Sequence, residues 1–151
     1  MDMKFVIKAA IWIVLTITWP SFAQVSQENF WHVLAEVGFE RRASAQAGYD
    51  VEIPVFSKRL KSYHGKIIRL KGYLVPLAEL GGQNKFMLSA LPFTQCYFCG
   101  GAGPETVVEL QTSTPVRFVT RLITVEGVLL LNDADPEHHI YIIKNARILD
   151  P

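Results

Sequence analysis

The sequence predicts a mainly β protein: a small five-stranded barrel behind an N-terminal helical extension and a cleaved leader. Three observations lead there. From Lys66 onward the apolar residues recur with period two, in five runs separated by turns rich in Gly, Pro and Asx residues. Two of those runs echo one another, and each carries a glycine in its middle, Gly72 and Gly127. Half of the 151 residues are apolar, so one domain can bury a core without help from a disulfide framework.

The chain begins with a secretion signal. Lys4 and Lys8 precede an apolar run from Ala9 to Ile17, and Ser21-Phe22-Ala23 supplies the small residues of a cleavage site. The run is shorter than the ~20 residues of a bilayer span, and Pro20 ends it. Residues 1–23 are therefore expected to be removed, which places the mature protein in the periplasm or outside the cell, with no stable membrane span. Its charge is balanced: 15 Lys and Arg face 14 Asp and Glu over the whole chain, and losing Asp2, Lys4 and Lys8 brings the net charge to zero. A phosphate-tracking surface needs an excess of Lys and Arg, so nucleic acid is excluded as a partner. With 19% charged and 11% aromatic residues, the chain is not a disordered tail either.

Residues 24–64 form the extension. Ser26 is placed to cap a helix in which Phe30, Trp31, Leu34 and Val37 share one face, with Trp31 as its core anchor. Residues 38–50 are polar and small, and read as a linker or edge hairpin. Val51–Val55 reads as a short strand ended by Pro54. Ser57 opens a second short helix that closes at His64-Gly65.

Residues 65–151 form the barrel. In the first strand Ile68, Leu70, Gly72 and Leu74 fall on one face and Arg69, Lys71 and Tyr73 on the other, up to Pro76. After a turn at Gly81–Asn84 come strands at 86–91, 106–110, 121–131 and 140–149. A glycine inside a strand marks a bend or bulge, and two long bent strands among five suit a barrel that coils to close on itself. That is the architecture of the oligonucleotide/oligosaccharide-binding (OB) barrel.

The chemistry concentrates in one loop, Gln95–Thr106, which holds both cysteines of the chain, Cys96 and Cys99. Three readings stand side by side. As thiolates in a C-x-x-C-G turn, whose backbone N–H groups would point at the sulfurs, the pair binds zinc or another transition metal. His138 and His139 are then candidate further ligands, and Glu105 a poorer one. As a reversible disulfide, the pair exchanges electrons, although Gly-Gly-Ala-Gly-Pro after Cys99 does not start the helix that usually activates such thiols. As a local structural disulfide, it closes a very short loop and stabilises little, and the protein would then be a structural adaptor that docks another protein on the barrel face. Gly100 stands where the axial His of a c-type haem site would follow, which excludes that cofactor in its ordinary form.

The other polar groups carry less. His32 and His64 read as surface or satisfied residues. Asn132, Asp133, Asp135 and Glu137 lack the Gly and the bidentate Glu of a calcium loop and read as a hairpin turn. No Ser/His/Asp set, H-E-x-x-H or phosphate loop is present, so neither a catalytic residue nor an organic cofactor is expected.

Trp31–Ala35, Pro54–Ser57, Gly65-Lys66 through Lys71-Gly72-Tyr73, Cys96–Glu105 and Leu131-Asn132-Asp133 together resemble an uncharacterised family of exported bacterial proteins with an OB-like barrel. The C-x-x-C-G-G-x-G-P-E loop is the most specific part of the likeness. Related exported domains are encoded near metal-uptake or ABC-transport genes. The resemblance therefore implies a metal-linked role beside a metal-transport or envelope protein. It implies no catalytic residues.

Topology adds a geometric expectation. In an OB barrel the second and fourth strands both flank the first, so the Cys loop and the 132–139 segment leave at the same rim. Alternation sends His138 and His139 to opposite faces, so at most one can join the cysteines. For the leader, N-terminal sequencing of the exported protein should begin at or near Gln24. Exported material that keeps Met1 would sink the signal peptide.

Overall fold

A computed structural model of the chain describes residues 30–44, 48–75 and 85–149. The leader, Ser26 and the Gly81–Asn84 turn lie outside the described residues. Trp31–Leu34 forms α1, followed by the hairpin β1 (Val37–Ser44) and β2 (Tyr49–Phe56), then α2 (Lys58–Lys61). The barrel strands are β3 (Ile67–Val75), β4 (Lys85–Ser89), β5 (Val107–Thr112), β6 (Leu122–Leu131) and β7 (Tyr141–Ile148). They close in the order β3-β4-β5-β7-β6. All neighbours are antiparallel except β5 and β7, which run parallel. The molecule is a small OB-like barrel.

The burial along β3 follows its sequence alternation, with Ile68, Leu70, Gly72 and Leu74 inward and Ile67, Arg69 and Lys71 outward. Leu88, Val108, Leu110, Ile123, Val125, Leu129, Tyr141 and Ile143 fill the interior from the other strands. Outside, Arg69 and Glu126 sit opposite one another on β3 and β6 and form an ion pair at 2.6 Å.

The two mid-strand glycines sit where backbones crowd. A Cβ on Gly72 would lie 2.5 Å from the Ser89 carbonyl oxygen of β4, and one on Gly127 would lie 2.8 Å from that of Lys144 on β7. Opposite Gly127 the register shifts, Glu126 pairing with Arg147 and Val128 with Lys144. The extra residue is on β7. Asn145 there takes a left-handed φ of 53°, and the β5–β7 ladder shifts at the same place. The bulge bends β7 so that it can serve both neighbours.

The N-terminal segment differs from the expected helical extension. It is mainly a β hairpin, with one-turn helices at either end. Val37, expected on the first helix, instead starts β1. The ladder pairs Val37 with Phe56 and Ser44 with Tyr49, so of the two readings of residues 38–50, linker or edge hairpin, the hairpin is the one formed. Pro54 does not end β2, because every second N–H of a two-stranded ribbon faces away from its partner and a proline is tolerated there. α2 is as expected, with Ser57 Oγ accepting from the Leu60 N–H at 3.0 Å. Among the described residues no helix is long and apolar enough to cross a membrane.

This segment shares its hydrophobic cluster with the barrel: Trp31, Val33, Leu34, Phe56 and Leu60 pack with the barrel interior. Two polar contacts fix it. Trp31 Nε1–H donates to the Lys71 carbonyl at 2.7 Å, and the Tyr141 hydroxyl donates to the Leu34 carbonyl at 2.6 Å. The anchor role expected of Trp31 therefore has a geometric basis.

Replacing Gly72 or Gly127 by Ala should destabilise the protein by about 2 kcal/mol or more, since backbone atoms cannot yield to the new methyl group. Gly38 on β1 is the control, its nearest neighbour to a Cβ being 4.0 Å away. Urea unfolding of the three variants measures this, and equal midpoints would contradict the close-approach account.

Candidate functional site

The barrel topology brings three segments to one rim. β4 ends, β5 and β7 begin, and β6 ends on the same side, because β3 is antiparallel to both β4 and β6 and β5 is parallel to β7. The Cys loop (90–106) and the β6–β7 connection (132–140) are therefore neighbours. His64, just before β3, joins them: its Nδ1 accepts from the Leu131 N–H at 3.1 Å.

The Cys loop is built from three short 3-10 turns, Phe93–Gln95, Tyr97–Cys99 and Pro104–Thr106. Cys96 caps the middle turn from an extended conformation, and its carbonyl accepts from the Cys99 and Gly101 N–H groups at 3.0 and 3.3 Å. Gly100 leaves the turn in the left-handed region with φ 74°, and its N–H bonds the Tyr97 carbonyl. These amides bind carbonyl oxygens, whereas the metal-turn reading expected N–H groups aimed at sulfur. Gly101 then folds back so closely that a Cβ would lie 2.7 Å from the Gln95 carbonyl oxygen.

The two cysteines are thiols in hydrogen-bond contact, in unlike surroundings. Cys96 is wholly buried, while Cys99 is exposed. Desolvation, then the hydrogen bond and charge of Cys96, push the Cys99 thiol up from its ordinary value. Exposed aromatics flank it, Tyr97 at 40% and Phe98 at 44%, with ring centroids 5.4 Å apart.

The two histidines part company, in the turn that precedes β7. His138 Nδ1 lies 2.9 and 3.0 Å from the two carboxylate oxygens of Glu109. Glu109 sits on β5 and is 4% exposed. It also accepts from the Gln111 side chain at 2.9 Å and the His139 N–H at 3.2 Å. Burial alone would raise the Glu109 carboxyl; these three donors outweigh it and hold it below the ordinary range. His139 turns the other way and lies between Tyr97 of the Cys loop and Tyr141 of the core, at centroid distances of 6.4 and 6.2 Å. Its Nδ1 accepts from the Tyr141 N–H at 3.3 Å, and its buried Nε2 has no hydrogen-bond partner among the described residues.

The expected ligand set is thus only partly gathered. Cys96 and Cys99 adjoin, and His139 touches their loop through Tyr97. His138 is engaged by Glu109. Glu105 stands on the last turn of the loop, its carboxylate folded back against Gly103 and its charge felt by Tyr141. Among the described residues, no group of three or more His, Cys, Asp or Glu side chains is placed to hold one metal ion.

Glu109 escaped the sequence reading. It lies in an apolar strand, where a lone charge reads as solvent-facing. No signal in the sequence marks it, since the burial of all four residues Val107–Leu110, which obliges the carboxylate to find partners, follows only from closure of the barrel. The 132–140 turn is, as expected, a hairpin connection between antiparallel β6 and β7. Asn132 organises it, its side chain bonding the Ala134 and Asp135 N–H groups and the Asp135, His138 and His139 carbonyls.

Burial pushes the His139 imidazole down to about 4, against the pull of the Glu109 charge. In the unfolded chain it titrates near 6.5. The unfolded state therefore takes up a proton first as the pH falls, and stability is lost progressively from about pH 6.5 toward 4. Between pH 7.5 and pH 5 the loss should reach about 2 kcal/mol in urea unfolding and shrink in a His139→Gln variant. A wild-type curve flat across that interval would contradict the burial of a neutral imidazole.

The chain matches no protein-family model and no curated protein. Among solved structures it is similar to a DUF3299 family protein from Pseudomonas aeruginosa PAO1, at 22% identity and a TM-score of 0.44. The match covers 60% of this chain and 66% of that one, so it spans just under two thirds of that protein.

Proposed function

We propose that this is an exported accessory protein whose working part is the Cys96–Cys99 pair, acting as a thiol–disulfide couple toward a partner protein. One observation carries the reading: two thiols in mutual hydrogen-bond contact, the inner one buried and the outer one exposed. That inequality divides the labour of exchange. The Cys99 thiolate attacks a sulfur of the partner's disulfide, forming a mixed disulfide and releasing one partner thiolate. The Cys96 thiolate then attacks Cys99 Sγ, closing the Cys96–Cys99 disulfide and releasing the second. Two electrons pass to the partner, and the two thiol protons go to the partner thiolates through water.

The surroundings suit a reducing couple. Oxidising couples stabilise their thiolate form, and here the Cys99 thiol is pushed up.

The second reading is the pair as two thiolates on zinc or another thiophilic transition metal. The adjacency of the sulfurs favours it, since thiolates on one tetrahedral ion stand roughly 3.8 Å apart at bonds near 2.3 Å. On this reading His139 is the imidazole nearest the loop, and a metal-transport or envelope protein would be the partner.

Single variants separate the readings. With an aromatic disulfide reagent, Cys96→Ser should accumulate a stable mixed disulfide at Cys99. Cys99→Ser should react at least about tenfold more slowly, because Cys96 is buried. Equal reaction of the two variants would overturn the exchange reading. Stoichiometric metal in natively purified protein, lost in both variants and protecting the thiols, would establish the metal reading instead.

A further inference from the structure

We infer that the open cavity beside His138 binds a small carboxylate that carries a neighbouring hydroxyl group. The cavity has a volume of about 400 Å³ and lies on the outer face of β5, β6 and β7, beneath the 132–140 connection. Glu109, behind it, fixes the chemistry. As an ionised, buried acceptor it requires a proton on His138 Nδ1, which fixes the ring and leaves Nε2 as the nitrogen turned away from Glu109, on a residue that lines the cavity. Glu109 helps hold the turn through the His139 N–H, but Asn132 already ties the connection with five side-chain hydrogen bonds, and the two contacts to the His138 ring come in addition. Burying a carboxylate to aim an imidazole is the usual way of preparing that ring for a ligand.

The rest of the lining supplies complementary groups. His64 Nδ1 accepts from the Leu131 N–H, so its neutral tautomer carries the proton on Nε2, a donor. Lys144 adds a cation, and Leu130 and Ile142 add an apolar wall. Asp135, the carboxylate of the lining, is turned to its own loop and accepts from the Glu137 N–H at 3.0 Å. A carboxylate on Lys144 and His64, with an adjacent hydroxyl hydrogen-bonded to His138 Nε2, gives these lining groups partners of matching chemistry. An apolar substituent would lie on Leu130 and Ile142. No step of this depends on the cysteine pair.

Titration of the full chain with mandelate, phenylacetate and mandelamide, followed through the histidine ring resonances, tests the inference. Mandelate should bind at least about tenfold tighter than phenylacetate, which lacks the hydroxyl, and than mandelamide, which lacks the charge. Lys144→Met should remove the advantage over mandelamide. His64→Asn, which keeps an acceptor for the Leu131 N–H, should weaken mandelate about tenfold. Each variant is first matched to the wild type in its urea midpoint. Equal binding of the three probes, no shift up to about 50 mM, or mandelate binding indifferent to both substitutions would overturn the assignment.

Discussion

Gly72 and Gly127 let neighbouring backbones approach to distances that no side chain would permit, and the closed barrel depends on that approach. Gly72 brings β3 against β4, and Gly127 receives the bulge of β7 at Asn145. Without the bulge, β7 would have to pair antiparallel with β6 and parallel with β5 while remaining straight. Closure then determines which chain ends meet. The end of β4, the starts of β5 and β7 and the end of β6 share one rim, so cysteines and histidines about 40 residues apart in sequence become neighbours.

The N-terminal segment depends on the same barrel. Its hairpin is exposed over most of both strands and could not stand alone. What holds it is the burial of Trp31, Leu34, Phe56 and Leu60 against the barrel interior, and two hydrogen bonds to atoms of the barrel strands. Tyr141 is the shared piece. Its hydroxyl holds α1, its ring packs near Phe56, and its other neighbour is His139 at the rim.

What the sequence made legible follows from how strongly each element is constrained. The barrel strands were readable because one face is buried, and burial writes a period of two into Ile68, Leu70 and Leu74. Strand β1 could be read only as linker or edge hairpin, because Phe39–Ala43 are exposed on both faces and no alternation is required of them. The Cys pair announced itself by composition and spacing. Glu109 did not, since its partner His138 is 29 residues away and only the β5–β7 pairing brings them together. The separation of His138 from His139 matches the expectation, although strand alternation is not its cause. Both precede β7, and Glu109 holds the His138 ring while His139 packs between Tyr97 and Tyr141.

That separation also divides the rim chemically. His138 faces outward, clamped by a carboxylate and lining an open cavity. His139 faces inward, neutral and buried, against an aromatic of the Cys loop. Glu109 holds both, accepting from the ring of one and the backbone N–H of the other. A shift of the 132–140 connection therefore moves the cavity and the packing behind Tyr97 together. The two sites remain separate in their chemistry, one of sulfur and one of imidazole and ammonium, yet share a single mechanical support.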